Sequence, residues 1–144
     1  MFKNPPQERI TELLQSARTI AVVGLSSDPS RPSHGVARAL QSFGYRIIPV
    51  TPMVDTVLGE RSVADLDHLH EVLPDGGKVD IVDVFRRPAH VAALVEDCIR
   101  LRLPALWLQD GVIDIAAAEK AQRAGILTVM DRCLYRDRAA AGLL

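Results

Sequence analysis

Cysteine is nearly absent from this chain: Cys98 and Cys133 are the only two in 144 residues. That is too few for a disulfide framework in a protein of this size. Long apolar runs are missing as well. None approaches the roughly 20 residues needed to cross a bilayer, so no membrane association is expected. The amino terminus, Met1 to Arg9, is polar and contains Pro5 and Pro6. It lacks the cationic-then-apolar plan of a secretory signal, and the cytoplasm is the expected location. Nor is there an excess of charge of one sign. The 17 basic residues against 18 acidic argue against a general nucleic-acid binder, which would present a basic face. They leave room for a small arginine cluster serving one phosphorylated ligand.

What is present points to one α/β domain. With 48% of residues hydrophobic, the chain can build a real core, and its length suits one domain. Short apolar runs alternate with helical periodicity. Ile10, Leu13, Leu14 and Ala17 follow the i, i+3, i+4, i+7 rule of an amphipathic helix. Residues 19–24 (TIAVVG) form a continuous apolar run, as expected of a strand buried on both faces of a parallel sheet. A helix is expected from Ser33, whose hydroxyl is placed to cap it, to Gly44, with Val36, Leu40 and Phe43 facing inward. Further strands are read at 45–50, ending near Pro49, and at 79–85, 105–109 and 126–130. Between them, Pro88 opens a helix with Val91, Val95, Cys98 and Ile99 inward, and Asp114 caps another that closes at Gly125. Residues 51–77 hold at most a short helix between Val63 and Val72. Five strands joined by helices imply right-handed crossovers and a Rossmann-like open parallel sheet with helices on both faces. The expected division is an amino-terminal helix over 1–18, the α/β domain over 19–135 and a tail over 136–144.

In such a sheet a ligand lies outside the carboxyl ends of the strands, where strand order reverses. The residues after each strand therefore matter most: Gly24 to Ser27, Thr51-Pro52, Phe85 to Arg87, Gln109 to Gly111, and Asp131 to Cys133. The first loop (GLSSDPSRPSH, 24–34) leads into a helix amino terminus, where free N–H groups and the helix dipole favour an anion. Serine hydroxyls and Arg31 add donors suited to phosphate. A plain turn with a serine cap explains the same loop equally well. The G-x-G-x-x-G fingerprint is missing, since the next glycine after Gly24 is Gly35. The acidic residue that holds the ribose of NAD is also missing after the second strand, where Val50-Thr51-Pro52 stands. A hydride-transfer enzyme is therefore disfavoured, and no P-loop is present.

Three stretches carry a resemblance: VVGLSSDPSRPSHGVARALQSFGYRIIPVTP, VDIVDVFRRPAHV, and LWLQDGV followed by GILTVMDRC. Together they cover most of residues 20–133 in order. They resemble the small stand-alone CoA-binding domain proteins, relatives of the amino-terminal domain of the succinyl-CoA synthetase α subunit. The resemblance implies that coenzyme A lies across the sheet edge. It implies that Gly24, Ser26 and Ser27 contact phosphate, with Arg31 and Ser33 at the helix entrance. Thr51 and Pro52 would border the adenosine, and Val84, Phe85 and Arg86 would line the other side of the crevice. Thr51 departs from the asparagine expected before that proline, and Asp75-Gly76-Gly77 extends the approach to the third strand.

The synthetase uses a second α domain with a phosphorylated histidine and a β subunit. This chain ends soon after its fifth strand, so the resemblance implies a CoA or acyl-CoA binding site without catalytic machinery, in a sensor, carrier or accessory protein. Two alternatives stay open. One is a subunit of an acyl-CoA ligase or CoA transferase completed by a partner chain. The other is an NADP or adenine-nucleotide module, against which the missing glycine and acidic signals count. A homodimer is possible on base rates alone.

Other polar residues have structural as well as chemical readings. His34 stands at the helix entrance, within reach of a phosphate or of solvent. His90 is a weaker candidate. Residues 67–70 (DHLH) contain ligand types without metal-site spacing. Asp83, inside an apolar strand, needs a partner, with backbone amides or an arginine expected to supply it. Trp107 and Cys98 read as core, and Cys133 reads as a partly buried thiol at the ligand edge. A thiol there would permit a mixed disulfide with CoA in principle.

Overall fold

The computed structural model describes residues 1–143. The chain begins with α1 (Gln7–Ser16), β1 (Thr19–Val23), α2 (Pro32–Ser42) and β2 (Arg46–Val50). A two-stranded ribbon follows, β3 (Thr56–Val57) and β4 (Glu60–Arg61), then a 3₁₀ segment over Leu66–Glu71. The second half runs β5 (Ile81–Val84), α3 (Val91–Arg100), β6 (Ala105–Leu108), α4 (Ile115–Arg123), β7 (Leu127–Val129) and α5 (Leu134–Ala140).

Five strands pair in parallel in the order β2-β1-β5-β6-β7, the Rossmann-like architecture expected. Every position in them is buried except Thr19, Arg46 and Leu127, which are half-buried. Helices α1, α2 and α5 cover one face through Ile10, Leu14, Leu40 and Leu134, packed with Ile47 and Trp107. Helices α3 and α4 and the 3₁₀ segment cover the other through Leu66, Val91, Val95, Cys98 and Ala121. Pro49 is accommodated because β2 is an edge strand, where the missing N–H costs no central ladder bond. The chain leaves β1 toward β2 on one side and returns to β5 on the other. Strand order therefore reverses between β1 and β5.

Several local expectations are corrected. Helix α2 begins at Pro32, with Arg31 at its N-cap position and no side-chain cap. The Ser33 hydroxyl instead accepts a bond from the Ser26 N–H at 3.0 Å, so it ties the loop to the helix. The fully buried face of α2 is Ser33, Ala37 and Leu40; Val36 and Phe43, expected inward, are half-buried and pack against the same core. Asp114 does cap α4, accepting from the Ala117 N–H at 3.0 Å. Residues 51–77 hold a ribbon as well as the short helix. Its turn uses Leu58 at φ 53° and Gly59 at φ 79°, the two positive angles a two-residue hairpin demands.

The segment 136–144, expected as a tail, contains most of α5. Arg138 is 5% exposed; its guanidinium lies 4.5 Å over the Phe43 ring and donates to the Tyr45 hydroxyl at 3.0 Å. That hydroxyl donates in turn to the Leu14 carbonyl, which joins α5 to α1.

Asp83 is the largest departure. It sits in β5 between Val22 and Trp107 in register, wholly buried, and neither carboxyl oxygen finds a hydrogen-bond partner among the described residues. Burial pushes its pKa well above the ordinary carboxyl range, so the neutral acid is the favoured form. A pKa raised in the folded state contributes stability that is present below the unfolded pKa and is lost as pH rises. Asp83→Asn is therefore expected to match the parent near pH 4 and to exceed it increasingly as pH rises from there toward the folded-state pKa, by up to about 1.4 kcal/mol per pH unit. Urea denaturation of both proteins at several pH values measures the gap; a gap independent of pH would refute the account.

Candidate functional site

At the carboxyl end of β1 the chain must turn out of the sheet beside β5. Gly24 does this at φ 83°, and its N–H still donates to the Val50 carbonyl at 3.0 Å. A Cβ built on Gly24 would lie 2.3 Å from the Phe85 carbonyl oxygen and 3.0 Å from the Arg86 Cδ. Only glycine satisfies both the positive φ and this approach. The Phe85 N–H donates to Val23 at 2.9 Å, so β1 and β5 stay joined up to the point where their loops part.

Beyond that point lies a cleft of about 970 Å³. One side is the β1–α2 connection and first turns of α2: Gly24, Ser26, Arg31, Ser33, Val36 and Ala39. The floor and far side bring Phe85, Gln109, Asp110, Val112, Cys133, Tyr135 and Arg136. The loop is internally braced. Ser26 Oγ accepts from the Asp28 N–H at 3.0 Å, and Asp28 Oδ1 accepts from the Ser30 N–H at 2.9 Å and its hydroxyl at 2.8 Å. The bond from the Ser30 backbone holds the Asp28 carboxyl below its usual pKa, aided by the Ser30 hydroxyl.

The far side is held by α5 and the loops after β6 and β7. Arg136 pairs with Asp110. Asp131, at φ 59°, accepts from the Gly111 N–H at 2.8 Å. Trp107 Nε1 donates to the Arg132 carbonyl at 2.8 Å, and Arg132 pairs with Asp137 and donates to Gln7 Oε1 at 3.0 Å. A smaller crevice of about 210 Å³ opens on the face carrying α3, lined by Val50, Pro52, Asp65, Leu66, Arg86 and His90 among others.

The residues singled out from sequence thus separate. Gly24, Ser26, Arg31, Ser33 and Phe85 meet in the large cleft, while Pro52 and Arg86 line the small crevice. Ser27 is exposed and lines neither. Thr51 is 7% exposed, and its hydroxyl accepts from the Met53 N–H at 3.2 Å. Val84, expected beside the crevice, is fully buried in the core under α3. The strand alternation that turns Phe85 toward the cleft turns Val84 away. His34 lines neither space, and His68 bonds Asp65 at 2.5 Å on the surface.

Residues 18–138 match the family described as a CoA binding domain. The chain belongs to that family. An uncharacterised Bacillus subtilis protein, YneT, is 38% identical over 133 residues, covering 92% of this chain and 94% of its own. A solved Thermus thermophilus protein superposes with a TM-score of 0.84 at 38% identity, over 95% of this chain and 99% of that one. A hypothetical protein from Pyrococcus horikoshii gives 0.83 at 29% identity, over 98% and 99%.

Sequence reasoning missed part of this CoA-binding domain's cleft. Arg136 falls in the expected tail, Tyr135 is the last residue of the expected domain and carries no reading of its own, and Val36 is expected in the core. Gln109 stands out in the sequence only as a residue following a strand, and Cys133 both as such a residue and as a thiol at the same edge; position after a strand is the signal that finds them.

Two glycines near the cleft predict opposite outcomes. Gly24→Ala is expected to cost about 2–4 kcal/mol, from the clash with the Phe85 carbonyl and the strained φ. Gly35, inside α2 with open space around its Cβ position, is expected to gain about 0.5–1 kcal/mol on replacement by alanine. Chemical denaturation of the two variants against the parent checks both signs.

Proposed function

We propose that this domain binds coenzyme A or an acyl-CoA at the carboxyl edge of its sheet. It would serve as a cytoplasmic sensor, carrier or accessory protein without catalytic machinery of its own. The observation that carries the reading is the cleft itself. It opens beside the β1–β5 switch point, where open α/β sheets take their ligands, and its volume falls in the range of small-molecule sites. Family membership supplies the ligand class.

The chemistry of the lining suits the parts of that ligand. The amino terminus of α2, the Ser26 hydroxyl and the forked cation of Arg31 form a set suited to phosphate. Val36, Ala39, Val112 and Tyr135 offer an apolar wall for the pantetheine arm or an acyl group. Pro52 and Arg86 border a space on the other face of the sheet edge, with a guanidinium available for the 3′-phosphate of the adenosine end.

Isothermal titration tests the reading, using CoA, dephospho-CoA and NAD in turn. Saturable CoA binding is expected. Arg31→Ala is expected to weaken it about tenfold, the loss of roughly 1.4 kcal/mol of a solvent-facing charge-assisted contact. Dephospho-CoA should bind more weakly than CoA, and NAD should not compete. Absence of binding by CoA and its acyl esters at high micromolar concentration would overturn the proposal, as would preferential binding of NAD.

A further inference from the structure

We infer that Cys133 is a modification site, at which a disulfide of the CoA type exchanges with the protein thiol. This rests on the CoA reading above. Cys133 lines the large cleft at the start of α5, is 7% exposed and has no disulfide partner. A second observation marks the same wall as a place for a ligand. Gln109 is 4% exposed, lines the cleft, and has its Oε1 fixed by the N–H of Leu134, the residue next to Cys133, at 2.9 Å. With the oxygen so assigned, its amide nitrogen is the remaining end; it makes no hydrogen bond to the described residues and, unlike the Asp83 oxygens, is not sealed from the cleft that Gln109 lines. An amide N–H donor open to the cleft is free to bond an acceptor carried by a ligand. The amide carbonyls along a pantetheine arm are acceptors of that kind, and the arm ends in sulfur.

The exchange balances without any further reagent. Cys133 gives up its proton and its sulfur attacks one sulfur of the incoming CoA disulfide. The S–S bond of the reagent breaks, a Cys133–CoA disulfide forms, and the second CoA leaves as a thiolate that takes up the proton. The reagent is the oxidant. Cys98 cannot resolve the adduct internally, since it is fully buried in the core under α3, with its thiol pushed up to about 12 by burial and the Asp97 charge. Reversal therefore needs an external thiol.

The test incubates the reduced, desalted protein with CoA disulfide and, separately, with glutathione disulfide, following both by intact mass and peptide mapping. The expected result is one CoA adduct on Cys133, forming at least about tenfold faster than the glutathione adduct because the ligand is held at the thiol. Saturating acetyl-CoA, which occupies the site without a free thiol, should slow the CoA adduct. No adduct, an adduct on Cys98, equal rates for the two disulfides, or indifference to acetyl-CoA would each overturn the inference. Titration of reduced CoA in the presence of reductant separates the two readings. Binding there without the adduct overturns the exchange alone, whereas no binding overturns the CoA reading with it.

Discussion

Strand β1 can run on to the carboxyl edge of the sheet only because Gly24 has no side chain. Its Cα passes under the Phe85 carbonyl at a distance that leaves no space for a Cβ. Around that contact three strands are fastened together, Gly24 N–H to Val50 and Phe85 N–H to Val23. The loops after β1 and β5 then diverge, and the gap between them becomes the cleft. The position of Ser26, the Ser26–Ser33 tie and the entry of α2 all follow from where β1 ends. A bulkier residue at 24 would push β5 away or swing the loop out, and either movement would change the site as a whole.

The opposite wall depends on a different kind of interaction. Helix α5 has few apolar residues to bury, and it is fixed by guanidinium groups: Arg132 on Asp137, Arg138 over Phe43 and on Tyr45. A buried arginine is tolerable when its donors are met and its flat face is covered by a ring. Burial pushes the Tyr45 hydroxyl's pKa up, so it remains a neutral donor to Leu14 while accepting from Arg138. The far side of the cleft is thus held by polar contacts anchored to α1.

This difference explains what could be read from sequence. The five strands were legible because their residues are buried on both faces, and continuous apolar runs such as residues 19–23 leave no other arrangement. That a cleft opens at the carboxyl edge follows from topology, and with it the presence of Gly24, Ser26, Arg31 and Phe85 along its walls. Helix α5 was not legible, because Asp137 and Arg138 occupy buried positions that hydrophobic periodicity counts as surface. The β3–β4 ribbon was too short to produce a pattern. Val84 and Phe85 were read together although adjacent residues in a strand point to opposite faces. Asp83 was recognised as anomalous, but the expectation of a partner was wrong: a carboxyl held neutral can stay buried without one, at a cost in stability.

The net charge of −1 hides how unevenly the cleft's polar groups are used. Asp110 and Arg136 answer each other, Asp28 is occupied with Ser30, and the Ser33 hydroxyl is bound to Ser26. These pairings set the shape of the cleft and leave little of those groups for a ligand. Arg31, exposed at the entrance of α2, and the amide of Gln109, nearly buried on the far side, stand apart from them. One is a cation at a helix amino terminus, the other a neutral donor on the opposite wall. Under the proposed reading such a pair would discriminate by chemistry and not by overall field, favouring a molecule that carries anionic charge at one part and uncharged carbonyls at another. A simple inorganic anion would meet only the first of these groups, and a purely apolar ligand would leave both unsatisfied.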